Sequence, residues 1–209
     1  MVNSIPSKLS NCSVAALLIL PWLTMVAAGG EPLPISLVAE SSSFDQKSNS
    51  VVFRGVDITQ GDLKIRADEA VASSMDFEKS EWRFSGHVKI TVNSVSIEAD
   101  SAELIFEAHS LLVANMRGHP AIFQNLSATR ESLIHGSANH LHYDGGTRTL
   151  RMMEDAWLSD GPNEFTGCDL IFDLEQARIT SGSSECGESV IITILPPSDD
   201  SESVSAPPP

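Results

Sequence analysis

A chain of 209 residues, 42% of them hydrophobic, has enough apolar surface for one domain with a real core. Its 28 acids against 13 Lys and Arg give a formal charge of −15, which excludes a nucleic-acid binder, because displacing counterions from phosphates takes clustered cations. Three cysteines without a Cys-x-x-Cys pair support neither a zinc ribbon nor a redox motif.

In chain order, the first element is a targeting signal. Lys8 precedes an apolar run from Val14 to Leu20 that continues through Trp22 and Leu23, and Val26-Ala27-Ala28 offers the small residues a signal peptidase prefers. Residues 1–28 therefore read as a signal peptide cleaved after Ala28. Pro21 interrupts the run, which falls short of the roughly 20 apolar residues that cross a bilayer. Cys12 precedes the run, whereas a lipidated cysteine would follow it. Residues 29–197 are expected to form the domain, in an exported compartment.

From Ile35 onward the pattern has period two. Leu63, Ile65 and Ala67 share a face, as do Val88, Ile90 and Val92, then Val95, Ile97 and Ala99, then Leu170, Phe172 and Leu174. Turns are expected at Lys47–Ser50, Gln60–Asp62, Asn93-Ser94, Arg117–Pro120, Asp144–Gly146 and Asp160–Asn163. Those intervals leave no room for crossover helices, so the strands pair antiparallel. Asp68 to Ser74 fits a helix or a strand. Val190 to Leu195 is a last β-branched strand, stopped by Pro196-Pro197, and its unpartnered edge is open to another strand. Residues 198–209, rich in Ser, Asp and Pro, form a disordered tail.

A phrase recurs through this pattern: Ile65-Arg66-Ala67-Asp68, Ile97-Glu98-Ala99-Asp100, then the looser Ile134-His135-Gly136-Ser137 and Phe165-Thr166-Gly167-Cys168-Asp169. One structural unit is used several times, each copy burying its apolar face on its neighbours. Without helices to cover it, the sheet must fold over itself as a jellyroll or sandwich, enclosing either a packed core or an apolar groove.

Little in the chain suggests catalysis. His140-Leu141-His142-Tyr143-Asp144 has the spacing of a metal-dependent hydrolase, yet Gly145 stands where a further His is needed and Asp144-Gly145-Gly146 reads as a hairpin turn. The two histidines are expected on the outer face of a strand whose other face holds Leu141 and Tyr143. Asp68-Glu69 and Glu154-Asp155 read as solvated carboxylates at turns and strand ends. Asn125-Leu126-Ser127 matches a glycosylation sequon, a pattern common by chance. Cys168 and Cys186 remain after processing, as a disulfide or as two thiols.

Pro34-Ile35, Ser43-Phe44-Asp45, Val51–Gly55, Thr59–Asp68, Gly118–Gln124, His135–Ala138 with His142-Tyr143, and Val190–Pro196 follow one another in an order that resembles the OstA-like family of lipopolysaccharide transport proteins. The resemblance implies an all-β fold, a twisted open antiparallel β-jellyroll that shelters lipid A acyl chains while the sugar head stays in water. It implies a non-enzymatic periplasmic carrier without cofactor or metal, bridging inner and outer membranes. Partners would be lipopolysaccharide, LptC at the N-terminal end, LptD at the C-terminal end, and further copies of the chain head to tail. Ile35, Phe123 and Tyr143 are matched to the groove through their phrases, and Leu141 joins by parity with Tyr143. Val190, Ile192 and Ile194 are the expected edge-strand contacts. The cysteines and the Pro-rich tail depart from the family pattern. The alternatives are an LptC-like protein retained by its N-terminal segment in the inner membrane and, outside the family, a secreted β-sandwich hydrolase using His140 and His142.

Overall fold

The computed structural model describes residues 33–73, 79–125, 133–181, 187 and 189–194. The expected signal peptide, the tail and Cys186 lie outside them. Among the described residues every regular element is a strand: β1 (Ile35–Val38), β2 (Ser41–Asp45), β3 (Ser50–Gln60), β4 (Leu63–Ala72), β5 (Lys79–Val92), β6 (Val95–Glu107), β7 (Ser110–Asn125), β8 (Ile134–Asp144), β9 (Thr149–Asp160), β10 (Asn163–Asp173), β11 (Arg178–Ser181) and β12 (Ile191–Ile194). They form one antiparallel sheet in which β3 to β10 pair in sequence order. No helix of the described residues is long and apolar enough to cross a membrane.

Alternation sets which face is buried. In β4, Leu63, Ile65 and Ala67 are buried while Lys64, Arg66 and Asp68 are exposed. Then the parity changes: Ala70 and Ala72 are the next inward residues. In β6 it passes from Ile97 to Ala102, Leu104 and Phe106 across Asp100. An extra residue in a strand switches every later side chain to the other face, and register shifts occur at these places: Arg66/Glu69, Ser85/Val88, Glu98/Ser101, Arg117/Ala121, Ser137/His140 and Gly167/Asp169. The irregularities line up across neighbouring strands and divide each long strand into two halves.

Each half builds one of two facing layers. The first layer holds Asp57–Gln60, Leu63–Arg66, Lys89–Val92, Val95–Glu98, Ile122–Asn125 and their continuations, and ends in β1 and β12. The second holds Val51–Arg54, Glu69–Ala72, Trp82–Ser85, Ser101–Glu107 and their continuations, and ends in β2 and β11. Apolar faces meet between them: the Phe123 ring of the first layer lies 5.8 Å from the Phe172 ring of the second. Within the second layer Trp82 stacks between Phe53 at 6.0 Å and Phe84 at 5.9 Å. This is the open jellyroll expected, and the recurring phrase marks alternate strands, β4, β6, β8 and β10, where they turn the corner.

Two local expectations change, and one reversal falls where none was expected. Arg117–Pro120 is not a turn but an irregularity inside β7, with a cis His119-Pro120 peptide; Met116 and Ala121 on either side both point inward, so the strand continues. Asp68 to Ala72 is strand, and Asp68-Glu69 and Glu154-Asp155 stand inside β4 and β9 at the corner, away from turns and strand ends. The β6–β7 reversal falls on Ala108 and His109, at φ of 49° and 62°, where no Gly or Asn announces it. Cys168 is disulfide-bonded.

Candidate functional site

Much of the interior is filled by side chains. Ile58, Ile65, Trp82, Leu104 and Leu141 are wholly buried, so along much of the sheet the interior is the packed core that the alternation allows, not the open groove that the family resemblance implies. Free space of about 440 Å3 opens between the layers, on the side away from the corner. Ile90, Val92, Val95, Ile97 and Phe123 supply its wall from the first layer, and Leu111, Ala114, Met116, Tyr143, Leu150 and Leu174 from the second. Its size falls within the roughly 300–1,000 Å3 of small-ligand sites.

The elements explain the shape. The two-residue turn Asn93-Ser94 ends the β5–β6 hairpin, with Asn93 at a φ of 51°, and brings Val92 and Val95 to the cavity's edge. Opposite, the Asp144 carboxylate accepts the N–H groups of Gly146 at 2.8 Å and Thr147 at 3.1 Å and shapes the β8–β9 turn. The Gly145 N–H donates to the Leu112 carbonyl at 2.8 Å, which seats that turn against β7. Tyr143 is half-buried, and burial raises its hydroxyl pKa, aided by Asp144 and opposed by Arg148. Ser94 Oγ donates to Asn125 Oδ1 at 2.9 Å, so the rim is polar although the walls are not.

Phe123 and Tyr143, expected in the groove, do line this cavity. Leu141 belongs to the core beside Met116 and Met152, and half-buried Ile35 packs against the core from the edge strand β1; neither lies on the cavity wall. Val92, Val95, Leu111, Met116 and Leu174 are among the other wall residues. The period-two pattern marks Val92, Val95 and Leu174 as inward, but their grouping at one hairpin tip depends on the corner.

Both edges of the first layer are open among the described residues: β1 pairs with β3 alone, and β12 with β10 alone. Ile192 and Ile194 are 53% and 71% exposed. Val190 precedes β12 and points inward, 3.5 Å from where a Cβ on Gly167 would lie, so of the three expected edge residues only the two isoleucines face solvent. His142 Nδ1 is 2.7 Å from Asn115 Oδ1, while burial and Arg117 lower the pKa of His140. Among the described residues no group of three or more His, Cys, Asp or Glu is placed to hold a metal.

An open two-layered β-sheet with an apolar cavity between its layers is the architecture of the β-jellyroll class, with an interior suited to apolar groups. The family described as LptA/(LptD N-terminal domain) LPS transport protein matches residues 36–76 and 69–178, most of the chain, and the chain belongs to it. It is 28% identical to the lipopolysaccharide export system protein LptA of Haemophilus influenzae over 129 residues, 60% of this chain and 73% of that one. Its fold is similar to that of LptH, the LptA-homologous periplasmic component of the lipopolysaccharide transport device of Pseudomonas aeruginosa, with a TM-score of 0.51 and 16% identity over 78% of this chain and 96% of that one.

Proposed function

We propose that the chain is a periplasmic carrier of lipopolysaccharide, which takes lipid A acyl chains between its layers and passes them toward the outer membrane. The observation that carries this reading is the apolar cavity lined by Phe123 and Tyr143, in a chain of the lipopolysaccharide transport family. A methylene leaving apolar surroundings for water costs about 0.8 kcal/mol, so a chain of about ten methylenes faces roughly 8 kcal/mol if released freely. Transfer therefore proceeds from one sheltered interior to the next.

The fold suits such a relay. The sheet is continuous only through the corner, so the layers part at the mouth by giving up apolar contacts such as Phe123 with Phe172, with no ladder hydrogen bond broken. Parting enlarges a cavity that is small for a multiply acylated lipid. Adjacent carriers align their interiors when β12 of one pairs with the first edge strand of the next. In this reading β1 meets LptC, β12 meets LptD, and copies of the chain chain together by the same pairing. Ile192 and Ile194 are the side chains that contact the partner, and no catalytic group takes part.

A photo-crosslinking residue in place of Tyr143 tests the assignment in cells that make lipopolysaccharide. A lipopolysaccharide adduct at Tyr143, and none with the crosslinker at the outward-facing Ile105, is the expected result. Adducts at Ile105 alone would assign lipid to the wrong face and end the proposal.

A further inference from the structure

The cavity rim carries one charged side chain, Arg148, among residues that are otherwise apolar or neutral. In a chain of charge −15 this is a conspicuous place for a cation, because the long-range field repels an anionic ligand from most of the surface.

Its backbone is fixed. Arg148 closes the β8–β9 turn at a φ of 53°, a conformation uncommon outside Gly and Asn, and its carbonyl accepts the N–H of Leu174 at 3.0 Å. Leu174 also lines the cavity, so this bond ties the arginine to the cavity wall. The guanidinium is loosely held: Glu175 Oε1 stands 3.6 Å from Nη1, and the two side chains are 63% and 68% exposed. Exposed pairs elsewhere span both regimes: Arg66–Asp57 and Lys89–Glu98 close to 2.6 and 2.8 Å, the range of a charge-assisted hydrogen bond, while Arg54–Glu69 and Arg117–Glu154 stand at 3.7 and 3.8 Å; what sets Arg148 apart is its place on the cavity lining. The Tyr143 hydroxyl feels the charge of Arg148 and, in the opposite sense, that of Asp144, and Asn93, Ser94 and Asn125 bring further polar groups to the rim.

We propose that Arg148 is an anion-binding residue that takes a phosphate of a phosphorylated glycolipid at the mouth while the hydrocarbon lies between the layers. This deepens the carrier reading and rests on it. The planar guanidinium fork matches phosphate oxygens bidentately, which an ammonium does not. Glu175 is the competing anion: it holds the guanidinium at the rim in the unloaded protein and gives it up to the incoming phosphate.

Binding is measured on the full chain with three probes: lipid A carrying both phosphates, the same lipid with both removed, and inorganic phosphate. Arg148→Asn is the chosen variant because Asn tolerates the positive φ, and an unchanged melting temperature checks its fold. The expected result is about tenfold weaker binding of phosphorylated lipid A and unchanged binding of the dephosphorylated lipid. Glu175→Gln tightens the phosphorylated lipid alone, and inorganic phosphate displaces neither lipid. Equal loss for both lipids, or no loss for either, overturns the assignment of Arg148 while leaving the carrier intact. Displacement by inorganic phosphate would mark a free-anion site and also overturn it. A wild-type chain that binds neither lipid removes the carrier reading and this inference together.

Discussion

Along the corner, where β4 to β10 pass from one layer to the other, the backbone ladder is interrupted and polar side chains span the gaps. His87 Nδ1 lies 2.7 Å from Asp68 Oδ2, His119 Nδ1 lies 2.7 Å from Asp100 Oδ2, and Asn139 donates to Asp155 at 2.9 Å. Toward the mouth the ladder of the first layer is regular, that of the second carries one register shift at Ile105/Phe106, and the facing side chains that meet are apolar. The corner has directional bonds across several of the places where the strands bend; the mouth has contacts without directional preference, which are lost and regained without a specific geometry. Curvature and capacity thus reside in different chemistry, and substitutions that separate them test the division.

The largest effect is expected where the mouth's apolar contact doubles as core. Phe123 is wholly buried against Phe172, so Phe123→Ala should lower stability by about 3–5 kcal/mol, measured by urea unfolding. A charge at Phe123 would unfold the domain as well as block loading, which makes half-buried Tyr143 the cleaner probe of lipid binding. A loss at Phe123 below about 1 kcal/mol would mean that the layers are not held by packing.

Gly136 tests close approach between strands at an intermediate scale. A Cβ there would lie 2.5 Å from the Trp157 carbonyl oxygen of β9 and 2.8 Å from Met152 Cε. The methionine end can move, but the backbone oxygen cannot move without disturbing the β8–β9 ladder. Gly136→Ala should cost roughly 1–3 kcal/mol by the same measurement. An unchanged midpoint would show that the two strands have slack at this position.

Much of this architecture is legible in the sequence because alternation and turn residues report local geometry directly. Leu63, Ile65 and Ala67 point inward as the period requires, and the reversals at Asn93-Ser94 and Asp144–Gly146 fall where turn chemistry places them. The recurring phrase was visible too, but its meaning was not. Asp68 is the solvated carboxylate its sequence suggests, yet it and Asp100 each also meet a histidine 19 residues later, across a strand pairing that local pattern does not encode. The same limit hid the cavity: Leu141 and Tyr143 share a parity, and only their distance from the corner separates a core residue from a wall residue. Ala108 and His109 lack the residues that announce a positive φ, so that turn had no signal.

The smallest expected effect belongs to the corner pair Asp68–His87, and pH reveals it. The hydrogen bond to Asp68 raises the pKa of His87 above 6.5, with the Asp68 charge adding to it, desolvation opposing, and Asp100 on β6 contributing in the same direction. The folded state therefore favours protonated His87. Its contribution is fully present below pH 6.5, the value in the unfolded chain, and is lost as pH rises through the elevated folded value. Both side chains are largely exposed, 92% for His87 and 62% for Asp68, and screened by salt, so the effect is modest. Asp68→Asn should lower the melting temperature at about pH 5.5 and leave it nearly unchanged at about pH 8.5, and added salt should shrink the difference. Gly86 sharpens the test, because a Cβ there would lie 2.3 Å from Asp68 Oδ2. Gly86→Ala displaces the carboxylate and should abolish the pH-dependent part while adding a pH-independent loss from the strained φ of 74°. An Asp68→Asn difference of the same size at both pH values would show that Asp68 holds the corner without help from the histidine charge.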